Sequence, residues 1–78
     1  MKLEIITPSS TLFTGDATLV QLPGLDGLFE IMKSHAPLVS ALKEGRVKVE
    51  NGQGEPQYFD IRGGVVEVSH DKILLLAE

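Results

Sequence analysis

The sequence predicts an all-β fold, a small sandwich or barrel, on three observations. Apolar and polar residues alternate at a period of two along most of the chain, the pattern of strands with one buried face. Turn-forming dipeptides recur at short intervals. The chain has 78 residues, enough for one domain and one modest core.

The elements follow in order. The opening, MKLEIITP, lacks the long apolar core and small-residue cleavage site of a signal peptide. Over 17–22, Ala17, Leu19 and Gln21 oppose Thr18, Val20 and Leu22, as on a half-buried strand. Pro23-Gly24 suits the centre of a type II turn, and Asp26-Gly27 is a hairpin signal of the type I′ kind. In GLFEIM (27–32), alternation sends Phe29 and Ile31 to the core and Leu28, Glu30 and Met32 the other way. APLVSALKE (36–44) breaks the pattern: Leu38, Val39, Ala41 and Leu42 fall at helical spacing behind a proline, which by itself predicts a two-turn helix, marginal without tertiary support.

In RVKVE (46–50), Val47 and Val49 alternate with Arg46, Lys48 and Glu50. Asn51-Gly52 is a second type I′ signal, within a polar, glycine-rich hairpin tip, ENGQGEP (50–56). In QYFDIR (57–62), Tyr58, Asp60 and Arg62 oppose Gln57, Phe59 and Ile61. Gly63-Gly64 marks a bulge or a sharp corner, and His70-Asp71 a two-residue turn between VVEVS and KILLLA. The last stretch (72–77) is apolar on both faces. Either it is a central strand covered on both sides, or one face awaits a partner; the sandwich favours cover, with the second sheet lying over Leu74 and Leu76.

Composition excludes several functions. The formal net charge is −4 and aromatic residues are few, whereas nucleic-acid binding needs clustered Lys and Arg. No apolar run approaches the roughly 20 residues of a membrane helix. With no cysteine, disulfides, thiolate metal sites and cysteine catalysis are ruled out. Ser34 and His35 are adjacent, so on a strand they point to opposite faces, and no nucleophile elbow is present. His35 and His70 have no second histidine at metal-ligand spacing in sequence. PGLDG lacks the lysine and Ser/Thr of a phosphate-binding loop. A small non-catalytic β domain without cofactor or metal is the reading that survives.

Four ordered motifs carry a resemblance. LEIITPSSTLFTGDATLVQLPG (3–24), LPGLDGLFEI (22–31), HAPLVSALKEG (35–45) and GGVVEVSHDKILLLAE (63–78) together resemble the epsilon subunit of F-type ATP synthases over nearly the whole chain. The resemblance implies a flattened β-sandwich of about ten short strands in two sheets, spanning 1–78, and an extended segment rather than a helix at 36–44. It implies a rotor role without catalysis: a central-stalk subunit that couples the gamma subunit to the membrane c ring during ion-driven ATP synthesis. Such a subunit sits peripherally on the cytoplasmic face of the inner (plasma) membrane, with no insertion of its own. Longer members carry a C-terminal helical hairpin after the sandwich. The present chain ends at Ala77-Glu78, so neither hairpin inhibition nor ATP binding is carried over.

The same resemblance assigns candidate contacts. Asp26, Gly27, Leu28 and Glu30 fall where the family rests on the c ring, and Asp26 or Glu30 is expected to pair with a basic residue there. His35, Ala36, Pro37, Leu38 and Ser40 fall on the edge that meets gamma, where Pro37 removes a backbone donor and limits stray strand pairing. Two departures stand out: Glu30 occupies a family glycine, and Lys33-Ser34 a family Pro-Gly. The alternatives are a free-standing sandwich that binds a peptide or carbohydrate, which an aromatic-lined groove would favour, and a small enzyme, which converging acids with a shifted pKa would favour.

Overall fold

The residues that alternate in sequence are the residues that pair. In the computed structural model, which describes residues 1–78, they form nine strands: β1 Lys2–Ile6, β2 Thr11–Asp16, β3 Leu19–Gly24, β4 Gly27–Met32, β5 Leu38–Leu42, β6 Gly45–Glu50, β7 Gln57–Ile61, β8 Gly64–Ser69 and β9 Lys72–Ala77. About ten were expected, in two sheets. One sheet runs β2-β1-β9-β8-β5 and the other β4-β3-β6-β7, and a single bridge, Gly24 opposite Leu42, links them into one hydrogen-bonded path. Every pair is antiparallel except β1 with β9. The two ends of the path, β2 and β7, meet through Phe13 and Phe59, edge to face at 5.8 Å between centroids. The result is a sandwich close to a barrel.

The core lies between the sheets. Leu3, Ile5, Val66, Val68, Ile73 and Leu75 from the first sheet face Val20, Leu22, Ile31, Val47, Val49 and Ile61 from the second, and all are buried. This is the alternation read from the sequence, including Phe29 and Ile31 inward and Leu28, Glu30 and Met32 outward in β4. The helical spacing at 36–44 yields to pairing. Leu38–Leu42 lies antiparallel to Gly64–Val68 of β8, because a two-turn helix cannot offset the loss of a five-residue ladder.

Several turns differ from their sequence signals. Pro23 and Gly24 end β3 rather than forming a type II turn. The carbonyl of Pro23 accepts from Lys43 N at 2.9 Å, so its missing N–H faces the junction where the ladder to β6 has already ended. The β3–β4 turn is therefore Leu25–Asp26, with Gly24 opposite Gly27. The positive φ falls on Gly27, at 128°, and on neither turn residue, which excludes type I′. The Asn51-Gly52 signal opens a longer loop, 51–56, in which Asn51 Oδ1 accepts from Gln53 N at 2.8 Å. Gly63-Gly64 makes the corner between β7 and β8. The His70-Asp71 turn forms as expected, with Ser69 opposite Lys72 and Asp71 O accepting from Lys2 N at 3.0 Å.

The expected cover over β9 is not there. Ile73, Leu75 and Ala77 face the second sheet, while Leu74 is half-buried and Leu76 is 50% exposed. A two-layer sandwich has no third layer to place on the outer side of a central strand.

Candidate functional site

The β3–β4 hairpin sets out the first group of candidate residues. Asp26 is exposed in the turn, Gly27 opens β4, and Leu28 stands 66% exposed. Alternation brings Glu30 to the same outer face as Leu28, where Gln21 Nε2 of β3 donates to its Oε2 at 3.1 Å. The glycine that the resemblance implies at position 30 is not required by the backbone, since Glu30 lies in β4 without a positive φ. Lys48, further across this face, is held protonated above its usual range. The causes are its hydrogen bond to Glu50, with 3.0 Å between Nζ and Oε2, then the attraction of that carboxylate; Tyr58 and Glu30 add smaller attractions against a cost of desolvation.

The second group is divided by the fold. His35, Ala36 and Pro37 lie exposed in the β4–β5 loop. Ser34 makes the turn there with φ of 69°, at the place where the resemblance implies a glycine, and His35 N donates to Met32 O at 3.2 Å. The His35 ring folds back on its own loop, with Nδ1 2.7 Å from Ala36 O. A carbonyl only accepts, so Nδ1 carries the proton in this contact. Leu38 packs against the core and Ser40 is half-buried. The outward positions of β5 are Val39, 71% exposed, and Ala41.

Two cavities gather these residues. A shallow one of about 320 Å³ between the start of β4 and β5 is lined by Asp26, Gly27 and Leu28 on one side and Ser40 and Ala41 on the other, so the two groups share a notch. Another, of about 520 Å³, brings the loop 33–37 against His70 and Asp71. The two histidines, 35 positions apart, thus line one cavity. No group of three His, Cys, Asp or Glu side chains is placed to hold a metal ion.

Sequence reasoning weighed an open apolar face for β9 alone and missed its extension across β5 and β8. On the outside of the first sheet, Ala41, Val65 and Leu76 lie in register on β5, β8 and β9, with Ile6 of β1 beside Leu76. Val65 is 41% and Leu76 50% exposed. The signal was available: LVSAL, GVVEV and KILLL are apolar on both faces, more than a two-layer core can use.

Comparison with known proteins accounts for this fold. The family model for the ATP synthase delta/epsilon chain, β-sandwich domain, matches residues 1–78. The chain belongs to that family. It is 51% identical over 77 residues to the ATP synthase epsilon chain of Chlorobium limicola, covering 99% of this chain and 88% of that one. The epsilon chain of Campylobacter lari is 41% identical over 78 residues, which is all of this chain and 60% of its own. Among solved structures, one chain of the Tetrahymena thermophila mitochondrial ATP synthase central stalk and c ring superimposes with a TM-score of 0.84 over 97% of this chain and 61% of that one, at 16% identity. That likeness concerns the fold. The family is one of ATP synthase chains, and the all-β sandwich is its domain.

Proposed function

We propose that this chain is a non-catalytic central-stalk subunit of an F-type ATP synthase, coupling the gamma subunit to the c ring during ion-driven synthesis. The observation that carries the reading is the family match across residues 1–78, supported by the central-stalk and c-ring assembly in which a chain of the same fold occurs. The β3–β4 hairpin, with Asp26, Gly27, Leu28 and Glu30, faces the ring. The β4–β5 segment, with His35, Ala36, Pro37, Leu38 and Ser40, meets gamma. The chain works peripherally, on the cytoplasmic face of the inner (plasma) membrane, and no helix is long and apolar enough to cross a membrane. It uses no cofactor.

Coupling by a stalk subunit requires rigid surfaces rather than a reactive centre. A nearly closed sheet path supplies rigidity, since few strand edges are free to fray. The exposed carboxylates of Asp26 and Glu30 are worth only about 0–1 kcal/mol each in surface ion pairs, so shape and repeated contact dominate.

The decisive experiment is calorimetric titration of the folded chain with its cognate gamma subunit. A saturable one-to-one complex, weakened by substitution at His35 or Pro37, is expected. No binding between two well-folded proteins would remove the gamma contact and bring forward an independent binding module.

A further inference from the structure

The second sheet ends on β4, and β4 has a neighbour on one side only. Which of its backbone groups are free follows from the register. Pro23 O points away from β4, to Lys43, so in β3 the alternate residues Val20, Leu22 and Gly24 turn their amides and carbonyls toward β4. Their partners Ile31, Phe29 and Gly27 complete those bonds. Leu28, Glu30 and Met32 therefore direct their backbone groups outward. Only one of these is occupied within the chain, Met32 O, which accepts from His35 N. The side chains of the same three residues are exposed.

An unpaired edge of this kind specifies its ligand chemically, because only another extended backbone matches its spacing of donors and acceptors. A second copy of the chain is disfavoured. Antiparallel self-pairing that uses all three outward residues places Leu28 opposite Met32 of the copy and Glu30 opposite Glu30. Two like charges then face each other across the ladder, which destabilises the pair. Shifted registers lose bonds from an edge only six residues long.

We propose that the open edge of β4 is a strand-addition site. It takes an extended loop segment of the c ring that sets a basic side chain opposite Glu30 and apolar ones opposite Leu28 and Met32. Gln21 engages one carboxylate oxygen of Glu30, which aims the charge and leaves the other oxygen for the incoming cation. The inference rests on the ring-facing role proposed for this hairpin, and it gives that contact a mode, backbone pairing, in place of side-chain contact alone.

Residue-resolved hydrogen exchange on the chain, free and after incorporation into the assembled ATP synthase, tests it. Incorporation is scored first, by co-purification. In the free chain the Leu28 and Glu30 amides exchange fast, while those of Phe29 and Ile31 are protected. In the assembly the Leu28 and Glu30 amides are expected to slow by about 100-fold or more, as paired amides do. Incorporation without that slowing overturns strand addition and leaves the stalk role standing. Failure to incorporate overturns both. Two variants separate backbone from charge: Glu30→Gln keeps the amide and the pairing, whereas Glu30→Pro, at an outward edge position that tolerates proline, removes the donor and is expected to weaken incorporation well beyond Glu30→Gln. Equal effects of the two variants would assign the contact to the side chain.

Discussion

Ser34 holds a φ of 69°, a left-handed conformation that costs a non-glycine residue about 1–2 kcal/mol. Its hydroxyl makes no hydrogen bond that would offset this. Ser34→Gly should therefore raise the stability of the free chain by about 0.5–1 kcal/mol, read as a higher urea midpoint at unchanged slope. Gly64 shows the reverse case. Its φ is 151°, and a Cβ there would run into the carbonyl of Leu76. Gly64→Ala is expected to cost about 2 kcal/mol or more, since the obstacle is backbone of a central strand. A loss below about 0.5 kcal/mol would mean that the β7–β8 corner relaxes easily.

At the scale of the element, the two ends of the sheet path depend on one aromatic contact. A double-mutant cycle on Phe13→Leu and Phe59→Leu should return a coupling of about 0.5–1.5 kcal/mol; additive losses would mean that β2 and β7 pack independently. The Lys48–Glu50 pair lies within one strand. Because its folded pKa is raised, Lys48 stabilises the fold fully below its unfolded pKa, and that contribution disappears as pH rises through the folded value. Titration from neutral pH to 9 should therefore leave the contribution of this pair unchanged. Much of this level was legible in the sequence. Val47 and Val49 in β6, and Phe29 and Ile31 in β4, sit where period-two alternation puts them. What was illegible depends on neighbours distant in the chain. The helical spacing of Leu38, Val39, Ala41 and Leu42 has no local remedy and is overruled only by β8. Pro23-Gly24 looks like a turn until Lys43 supplies a partner for the Pro23 carbonyl.

At the scale of the molecule, the fold has a small margin. A core in a chain of this size supplies about 3–5 kcal/mol, while truncating a buried leucine costs about 2–5 kcal/mol. Leu75→Ala, at 0% exposure in the middle of β9, should leave the free chain largely unfolded at 37 °C by circular dichroism. A partner present at 100 times its dissociation constant would restore about 2.7 kcal/mol, so the same variant is expected to regain its spectrum when gamma is added. Val39→Ser, on the open outer face, should change the stability of the free chain by less than about 0.5 kcal/mol. The candidate site was legible unevenly for the same reason. Leu28 and Glu30 follow from alternation alone, but the notch that Leu28 shares with Ser40 and the apolar row from Ala41 to Ile6 exist only once distant strands are in register. Charge and exposure can be read locally; adjacency between elements cannot.

The parallel pairing of β1 with β9 sets an order on the life of the molecule. β9 is the last of the nine strands in chain order, yet it lies between β1 and β8, so β1, paired early with β2, waits for its second neighbour until the other eight strands have been made. Until Lys72–Ala77 leaves the ribosome, the edges of β1 and β8 that pair with β9 remain open, and contacts so distant in sequence form slowly. A nascent chain arrested before position 72 is accordingly an aggregation hazard, and the sandwich closes only once its ninth strand has emerged.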